Sequence, residues 1–326
     1  MVTLEWLDQL AQPIICASMA GAADGNLARA VSAAGGLGTI GFSASATTDH
    51  VAAQCAVPQA AALPFGVGFN CWALDQDAAV LDAAVACSPV LISLSFGDPT
   101  PYVRRARSGG ASVASQVGTL DEARRAIDAG VDALIARGSE GGGHGRGEVA
   151  TLPLLQQLVQ SGDVPVIAAG GIATGRGVAA VLAAGAIAVW VGTPFAACAE
   201  SCFAIPLKQA VLDAGSDDTV YTRIFDIAQQ IPWPREYGGR ALVNRFSDRW
   251  AERPEELAAE VARQPQMTAE MNQARQDARL DIAPVYAGQS AGLVTERLTA
   301  ADVIAELATF RDHLGAAANR WPGERS

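Results

Sequence analysis

The chain has 326 residues, half of them hydrophobic and only 17% charged, so its composition predicts an ordered protein with a large buried core. The formal net charge of −11 argues against nucleic acid and anionic membrane surfaces as partners. The length exceeds the usual size of a single core, yet α/β barrels of this length fold as one domain.

Targeting and membrane signals are weak. The N-terminal sequence MVTLEWLDQLAQ carries Glu5 and Asp8 but no basic leader, so we expect no signal peptide. The uncharged run Gly177–Ala199 is long enough to span a bilayer, but two glycines and Pro194 interrupt it, and we interpret it as buried core.

The six cysteines show no CxxC spacing. We therefore expect buried free thiols in a reducing, cytoplasmic environment rather than disulfides or a metal site.

Eight short apolar runs follow one another through the first two-thirds of the chain. They lack polar alternation, which is typical of parallel strands buried on both faces. The runs are Pro13–Ala20, Leu37–Ser43, Pro64–Asn70, Pro89–Phe96, Ser112–Val117, Ala133–Arg137, Val164–Ala169 and Ile187–Gly192. The helical segments between them include Asn26–Ala34, Gln76–Ala86, Leu120–Ala129, Leu152–Gln160 and Arg176–Ala184. Eight such units predict an α/β fold, a (β/α)8 TIM barrel, with a doubly wound open sheet as the alternative.

The repeating pattern of apolar runs and helical segments ends after Glu200. The following stretch is richer in charge and in helix formers, with predicted helices at Glu252–Arg263 and Thr268–Arg279 and an irregular connection at Ile231–Tyr237. We interpret it as a smaller helical subdomain, inserted after the eighth strand, that covers the substrate. Ala300–Leu314 is a periodic helix that returns to the barrel wall. The predicted division is a barrel of residues 1–205 plus 284–326 and a helical, substrate-covering subdomain of residues 206–283.

Ala133–Gly147, ALIARGSEGGGHGRG, runs from an apolar strand into a glycine cluster that carries His144, one of three histidines. Because glycines have no side chain, the backbone N–H groups of this loop can approach a flat or anionic ligand closely, and His144 would be held beside that ligand. A surface turn with a solvated histidine is the alternative for this segment alone.

The seventh and eighth predicted strands end in AAGGIATG and VGTPF. Each offers glycine N–H groups at a helix start, and Thr193 adds a hydroxyl, which is typical of a phosphate site in this fold. Tight turns also favour glycine for structural reasons, but two such turns on these two strands favour phosphate. The chain has no Walker-type lysine and no GxGxxG opening a βαβ unit, so a nucleotide held by those motifs is disfavoured.

These segments resemble the nitronate monooxygenase family, formerly called 2-nitropropane dioxygenases. The resemblance lies in PIICASMAGAADGNLARAVSAAGGLGTIG, GVGFN, ARGSEGGGHGRG, PVIAAGGIATG, VGTPFAACAES and YAGQSAGLV, in order over residues 13–200 and again near 286–310. It implies an FMN-dependent barrel. Relatives include NADH:quinone reductases and FMN-type enoyl-acyl-carrier-protein reductases.

The resemblance also implies the site residues. His144 stands where the family keeps its active-site histidine, and no metal is implied. The implied cofactor-binding residues are Met19, Ala20, Gly21, Asn70, Gln116, Gly142 and Gly143 for the flavin ring, with Ala169, Gly170, Gly171, Gly192 and Thr193 for the phosphate. Gln116 falls where many relatives have a lysine, and a neutral amide would stabilise reduced, anionic flavin less than an ammonium would.

The reaction implied is FMN-dependent oxidation of alkyl nitronates, and of nitroalkanes if His144 acts as a base, by O2 to a carbonyl compound and nitrite. The first alternative is an NAD(P)H-dependent reductase of quinones or enoyl thioesters on the same barrel, and the second is a flavin-binding protein without turnover. The expected partners are a small-molecule substrate and O2, without nucleic acid or membrane. A homo-oligomer is possible.

Overall fold

The computed structural model describes residues 4–320, and an eight-stranded parallel barrel dominates it. The strands are β1 (Ile14–Cys16), β2 (Gly38–Gly41), β3 (Phe65–Asn70), β4 (Leu91–Ser95), β5 (Ser112–Val117), β6 (Ala133–Arg137), β7 (Gly143–Gly145), β8 (Val166–Ala169), β9 (Ala188–Val191), β10 (Thr219–Thr222) and β11 (Gly238–Leu242). The helices are α1 (Glu5–Asp8), α2 (Gly25–Ala33), α3 (Thr48–Ala60), α4 (Cys71–Leu74), α5 (Ala79–Ala86), α6 (Thr100–Arg107), α7 (Leu120–Asp128), α8 (Thr151–Ser161), α9 (Gly175–Ala183), α10 (Thr193–Ala197), α11 (Ile205–Asp213), α12 (Ile224–Gln229), α13 (Arg245–Trp250), α14 (Pro254–Arg263), α15 (Gln266–Gln276), α16 (Ala300–Ala308) and α17 (Phe310–Arg320).

The barrel strands pair in the order β1-β9-β8-β6-β5-β4-β3-β2, all in parallel. β1 and β2 close the ring: the Cys16 N–H donates to the Leu37 carbonyl and the Leu37 N–H to the Ile14 carbonyl, each at 2.9 Å. The predicted (β/α)8 barrel is therefore confirmed, and the open-sheet alternative is wrong.

Two apolar layers follow from the alternation of side chains along each strand. One fills the barrel interior with residues such as Ile15, Ile135 and Trp190, and Trp6 of α1 packs against it. The other, larger layer lies between the strands and the surrounding helices. Because side chains fill the interior of the barrel, ligands bind at the carboxyl ends of its strands.

The segment after α10 is mostly helical, but it also contains two strands that the sequence analysis did not predict. β11 pairs in antiparallel fashion with β10 on one side and with β7, inside the glycine cluster, on the other. Glycine has a low strand propensity, so the glycine-rich sequences of β7 and β11 do not favour strands by themselves. The two segments are extended because they pair with each other. Two separate apolar clusters, one including Phe225 and Trp250 and one including Val211 and Val285, pack this region. The division into residues 1–205 plus 284–326 and residues 206–283 stays a prediction.

The C-terminal helix predicted over Ala300–Leu314 is divided at Thr309 into α16 and α17, which pack on α2 and α9 and complete the outer layer. Across residues 4–320, no helix is both long and apolar enough to cross a membrane. All six cysteines are free, as expected, and four are buried, but Cys87 is half-buried and Cys202 is exposed.

Candidate functional site

A cavity of about 850 Å³ opens at the carboxyl ends of the barrel strands. Part of its wall comes from the segment after α10, including Ile231, Trp233 and Arg275, and part from the late segment with Tyr286 and Ser290. All thirteen residues proposed from the sequence line this one cavity: Met19, Ala20, Gly21, Asn70, Gln116, Gly142, Gly143, His144, Ala169, Gly170, Gly171, Gly192 and Thr193.

The turn after β8 requires glycine at two successive positions. Gly170 and Gly171 have φ values of +99° and +70°, a region that costs other residues about 1–2 kcal/mol. A Cβ at Gly171 would lie 2.9 Å from Cγ of Glu140, and one at Gly170 would lie 2.8 Å from Oγ1 of Thr151. The Glu140 carboxylate in turn accepts from the Thr151 N–H at 3.1 Å. Both the backbone conformation of this turn and its close neighbours disfavour a side chain here.

The turn after β9 presents Gly192 and Thr193. The Thr193 hydroxyl oxygen accepts a 3.0 Å hydrogen bond from the Gly288 N–H, which ties the late segment to the barrel. Because a hydroxyl has one hydrogen to donate, Thr193 can still donate to a ligand in the cavity.

Arg137, at the end of β6, organises the glycine cluster, and the sequence analysis assigned it no role. Its side chain is 3% exposed, and its guanidinium donates to the carbonyls of Gly142 at 3.2 Å, Gly143 at 2.9 Å and Arg146 at 3.0 Å, and also to that of Gly141. Burial lowers the pKa of Arg137 to about 10, so the group is still protonated at neutral pH.

Most glycines of the cluster serve packing rather than ligand approach. Cβ atoms at Gly141 and Gly145 would meet the Arg137 guanidinium, one at Gly147 would meet the Tyr221 ring, and one at Gly142 would lie 2.5 Å from the Gly288 nitrogen. Gly143 differs, because a Cβ there meets no atom within 4 Å and the residue lines the cavity. The bare surface predicted for a ligand is therefore narrower than the glycine count indicates.

His144 is held in one orientation by residues distant in sequence. Its Nε2 lies 3.0 Å from both carboxylate oxygens of Asp226 on α12, and its ring stacks on Trp233 with centroids 3.8 Å apart and planes 3° from parallel. Asp226 is only 3% exposed. Because a carboxylate accepts hydrogen bonds, Nε2 carries the ring proton and Nδ1 keeps the lone pair in neutral His144.

Tyr286 lies on another side of His144, with ring centroids 5.2 Å apart. Burial, and secondarily the nearby Asp226 carboxylate, raise the pKa of Tyr286 well above its ordinary value, so the phenol stays protonated. The sequence analysis did not identify Asp226. The available signal was an acidic residue in the otherwise apolar stretch IFDIA.

Aromatic rings form the remaining wall beside His144. The ring centroid of Trp233 lies 5.2 Å from that of Trp72 and 5.1 Å from that of Phe96. The centroids of Phe96 and Tyr237 are 5.3 Å apart. Nε1 of Trp72 is buried and has no hydrogen-bond partner among the described residues, although Trp72 lines the cavity. A buried donor without a partner is costly, so this wall is suited to a ligand that carries an acceptor.

The two predicted amide residues differ in their contacts. Gln116 uses Nε2 to donate to the His144 carbonyl at 3.4 Å, so it contacts the glycine cluster from the neighbouring strand β5. Asn70 ends β3, and its side chain makes no hydrogen bond within residues 4–320, which leaves its amide available to a ligand.

These features define a (β/α)8 barrel with a candidate site at the carboxyl ends of its strands. The nitronate monooxygenase family model matches residues 75–309. By structure, FabK from Thermotoga maritima is similar with a TM-score of 0.81 and 31% identity, covering 98% of this chain and 100% of that one. The nitroalkane oxidase from Streptomyces ansochromogenes has a TM-score of 0.78 and 29% identity, covering 96% and 99%.

Among curated proteins, a (3aS,4S,5R,7aS)-5-hydroxy-7a-methyl-1-oxo-octahydro-1H-indene-4-carboxyl-CoA dehydrogenase of Rhodococcus jostii is 34% identical over 217 residues. That match includes 66% of this chain and spans about 60% of the relative's length. The chain belongs to the nitronate monooxygenase family, whose members are flavin-dependent oxidoreductases.

The cavity fits a flavin on features of this chain. Its volume lies within the range of cofactor sites. One wall is the bare backbone at Gly143, and the unpaired Trp72 donor and the free Asn70 amide offer polar contacts.

Proposed function

We propose that this protein binds FMN and oxidises alkyl nitronates with O2 to a carbonyl compound and nitrite. The observation that carries the proposal is the pairing of His144 with buried Asp226 in the wall of a glycine-lined cavity. An oriented base beside a flavin is what removal of a proton next to a nitro group requires. The same site would therefore also accept nitroalkanes.

FMN is the proposed flavin because the turns after β8 and β9 together suit a single phosphate. Gly170 and Gly171 offer backbone N–H groups, and Thr193 offers a hydroxyl beside Gly192. The ring would lie against Met19, Ala20, Gly21, Asn70, Gln116, Gly142 and Gly143. When bound, FMN supplies the redox chemistry, taking electrons from the substrate and passing them to O2.

His144 has two roles in this proposal, set by the substrate. Toward a neutral nitroalkane, Nδ1 takes a proton from carbon while Nε2–H stays bonded to Asp226, and the carboxylate stabilises the imidazolium that forms. Toward a nitronate, which is already deprotonated, a protonated His144 would instead hold the anion by charge.

The segment of residues 206–283 would cover the flavin and set the size of the substrate. Trp233 shields one face of His144, and the rings of Trp72 and Phe96 continue that wall. An apolar wall excludes water from the alkyl part of the substrate and strengthens the electrostatic contacts near the ring.

The function can be tested on the purified protein. We expect a yellow protein that releases FMN, not FAD, on denaturation, and whose flavin is reduced rapidly by a nitronate such as ethyl nitronate when mixed without O2. NADH and NADPH should reduce it much more slowly. A colourless protein that takes up no FMN would disprove the cofactor, and faster reduction by NAD(P)H would favour a reductase.

Replacing Gly171 with alanine should weaken FMN binding by tenfold or more and cost about 1–2 kcal/mol of folding stability, because a Cβ is strained at this φ and meets Glu140. Gly177→Ala is the matched control: it lies in α9, and its Cβ would approach no atom closer than 3.6 Å. Flavin fluorescence titration and thermal unfolding measure the two effects. Equal FMN affinity in both variants would show that this turn does not bind the phosphate.

The second candidate function is NAD(P)H-dependent reduction of an enoyl thioester or quinone. The likeness to FabK over the full length of both chains favours it, since FabK is an enoyl reductase. Trapping a nitronate-reduced or an NAD(P)H-reduced flavin in the anaerobic experiment above decides between the two functions.

A further inference from the structure

The most unusual group outside the His144 pair is the guanidinium of Arg137. It is buried at the cavity wall, and its Nε has no hydrogen-bond partner among the described residues. No carboxylate within residues 4–320 forms an ion pair with it, whereas the neighbouring Arg146 pairs with Glu122. Burying a charge without a counter-ion lowers the folding stability, so Arg137 is expected to have a role that offsets this cost.

The charges around Arg137 do not cancel it. Glu140 acts on it electrostatically, but that carboxylate accepts from the Thr151 N–H. Arg240, on β11, is a second cation: it donates to the Ser139 carbonyl at 3.0 Å and to Thr219 at 3.0 Å. Of the charged groups that act on Arg137, Arg240 is positive and Glu140 is negative, while the neighbouring Arg146 is already paired with Glu122.

Arg137 also faces the cavity by its place in the strand. It follows Ile135 on the inward side of β6, since alternate residues share a face, and Ile135 is paired with Gln116 of β5. Gln116 and Arg137 therefore lie on adjacent strands at the same mouth of the barrel. The carbonyls of Gly142 and Gly143 that line the cavity bond directly to this guanidinium.

We propose that Arg137 is a fixed positive charge against the bound flavin that makes the protein hold the reduced, anionic flavin more tightly than the oxidised flavin. Two electrons and one proton convert oxidised FMN into a ring with one negative charge, and the electrons come from the substrate. In a low-dielectric cavity wall, a fixed positive charge attracts an anion more strongly than it would in water. This inference rests on the proposed binding of FMN.

Two substitutions of Arg137 distinguish an effect of its charge from an effect of its hydrogen bonds to the loop. In Arg137→Gln, which keeps an amide donor for the loop carbonyls, the preference for reduced over oxidised FMN should fall by tenfold or more, about 30 mV for a two-electron couple. In Arg137→Lys, measured near pH 6 so that a buried lysine keeps its proton, the preference should change less than about threefold. Dye-equilibrated titration of the bound flavin gives the midpoint potential, and fluorescence titration gives the affinity of oxidised FMN.

Arg240→Gln is the matched control, because it removes a cation that contacts the same loop at Ser139 but does not line the cavity. Its potential should shift less than that of Arg137→Gln. A purely structural role predicts that both Arg137 variants weaken the two redox forms equally and leave the potential unchanged, and that result would overturn the proposal.

A second measurement needs no variant and covers the case in which Arg137→Gln does not fold. When wild-type protein binds 8-hydroxy-FMN, whose ionised form places negative charge near N1, the acid dissociation constant of this analogue should rise by tenfold or more. An unchanged constant would contradict a fixed positive charge against the bound flavin. Failure to bind flavin would defeat both this inference and the proposed function. A shifted potential without nitronate turnover would defeat only the proposed substrate.

Discussion

On replacement of His144 with alanine, turnover of a neutral nitroalkane is expected to fall by about 10²–10⁴-fold, the usual contribution of a general base. FMN content should stay nearly intact, because the turns after β8 and β9 and the backbone near Gly143 do not depend on the imidazole. Turnover of the corresponding nitronate should fall less, since it needs no proton removal. Steady-state kinetics with each substrate measure the two losses.

The control for this variant is His313→Ala, on α17 of the outer layer, which should change neither activity. Equal losses for nitroalkane and nitronate would assign His144 to binding or electrostatics rather than to proton transfer. No loss for either substrate would make His144 a packing residue for Trp233, to whose ring it lies parallel.

The barrel was predictable because each of its strands is a local pattern. An apolar run such as Ala133–Arg137 needs only its own composition and the following turn to be recognised, and the observed strand has the same bounds. The cavity residues were predictable for a related reason: in this fold the carboxyl ends of all strands meet at one mouth, so a position such as Asn70 or Gly192 is located by topology alone.

The contacts that orient the site were not predictable, because they join residues distant in the chain. Asp226 lies 82 residues after His144, and nothing in IFDIA indicates which side chain its carboxylate meets. Likewise, Arg137 was visible as the last residue of a strand, but its bonds to the glycine carbonyls depend on how the loop folds back over it. The strand pairing of β7 with β11 has the same origin, since two glycine-rich segments carry no local strand signal.

The position of Asp226 implies a specific control over the tautomer of His144. Its carboxylate can only accept, so it fixes the proton on Nε2 and leaves Nδ1 as the base. An asparagine of the same size can turn its NH₂ group toward Nε2, which would then have to accept, and the proton would move to Nδ1. The ring would keep its place on Trp233 but would present a proton instead of a lone pair.

Asp226→Asn is therefore expected to lower nitroalkane turnover by about 10²–10³-fold, mainly through kcat, while FMN content stays unchanged and nitronate turnover falls less. Nitrogen-15 NMR of labelled histidine should show His144 changing from the Nε2–H to the Nδ1–H form. The chain has only three histidines, so the His144→Ala variant assigns the signal. Asp248→Asn, an exposed carboxylate on α13, should leave the tautomer and both activities unchanged. Loss of activity with the Nε2–H form retained would show that Asp226 acts by packing or charge alone, because only the tautomer mechanism ties the two readouts together.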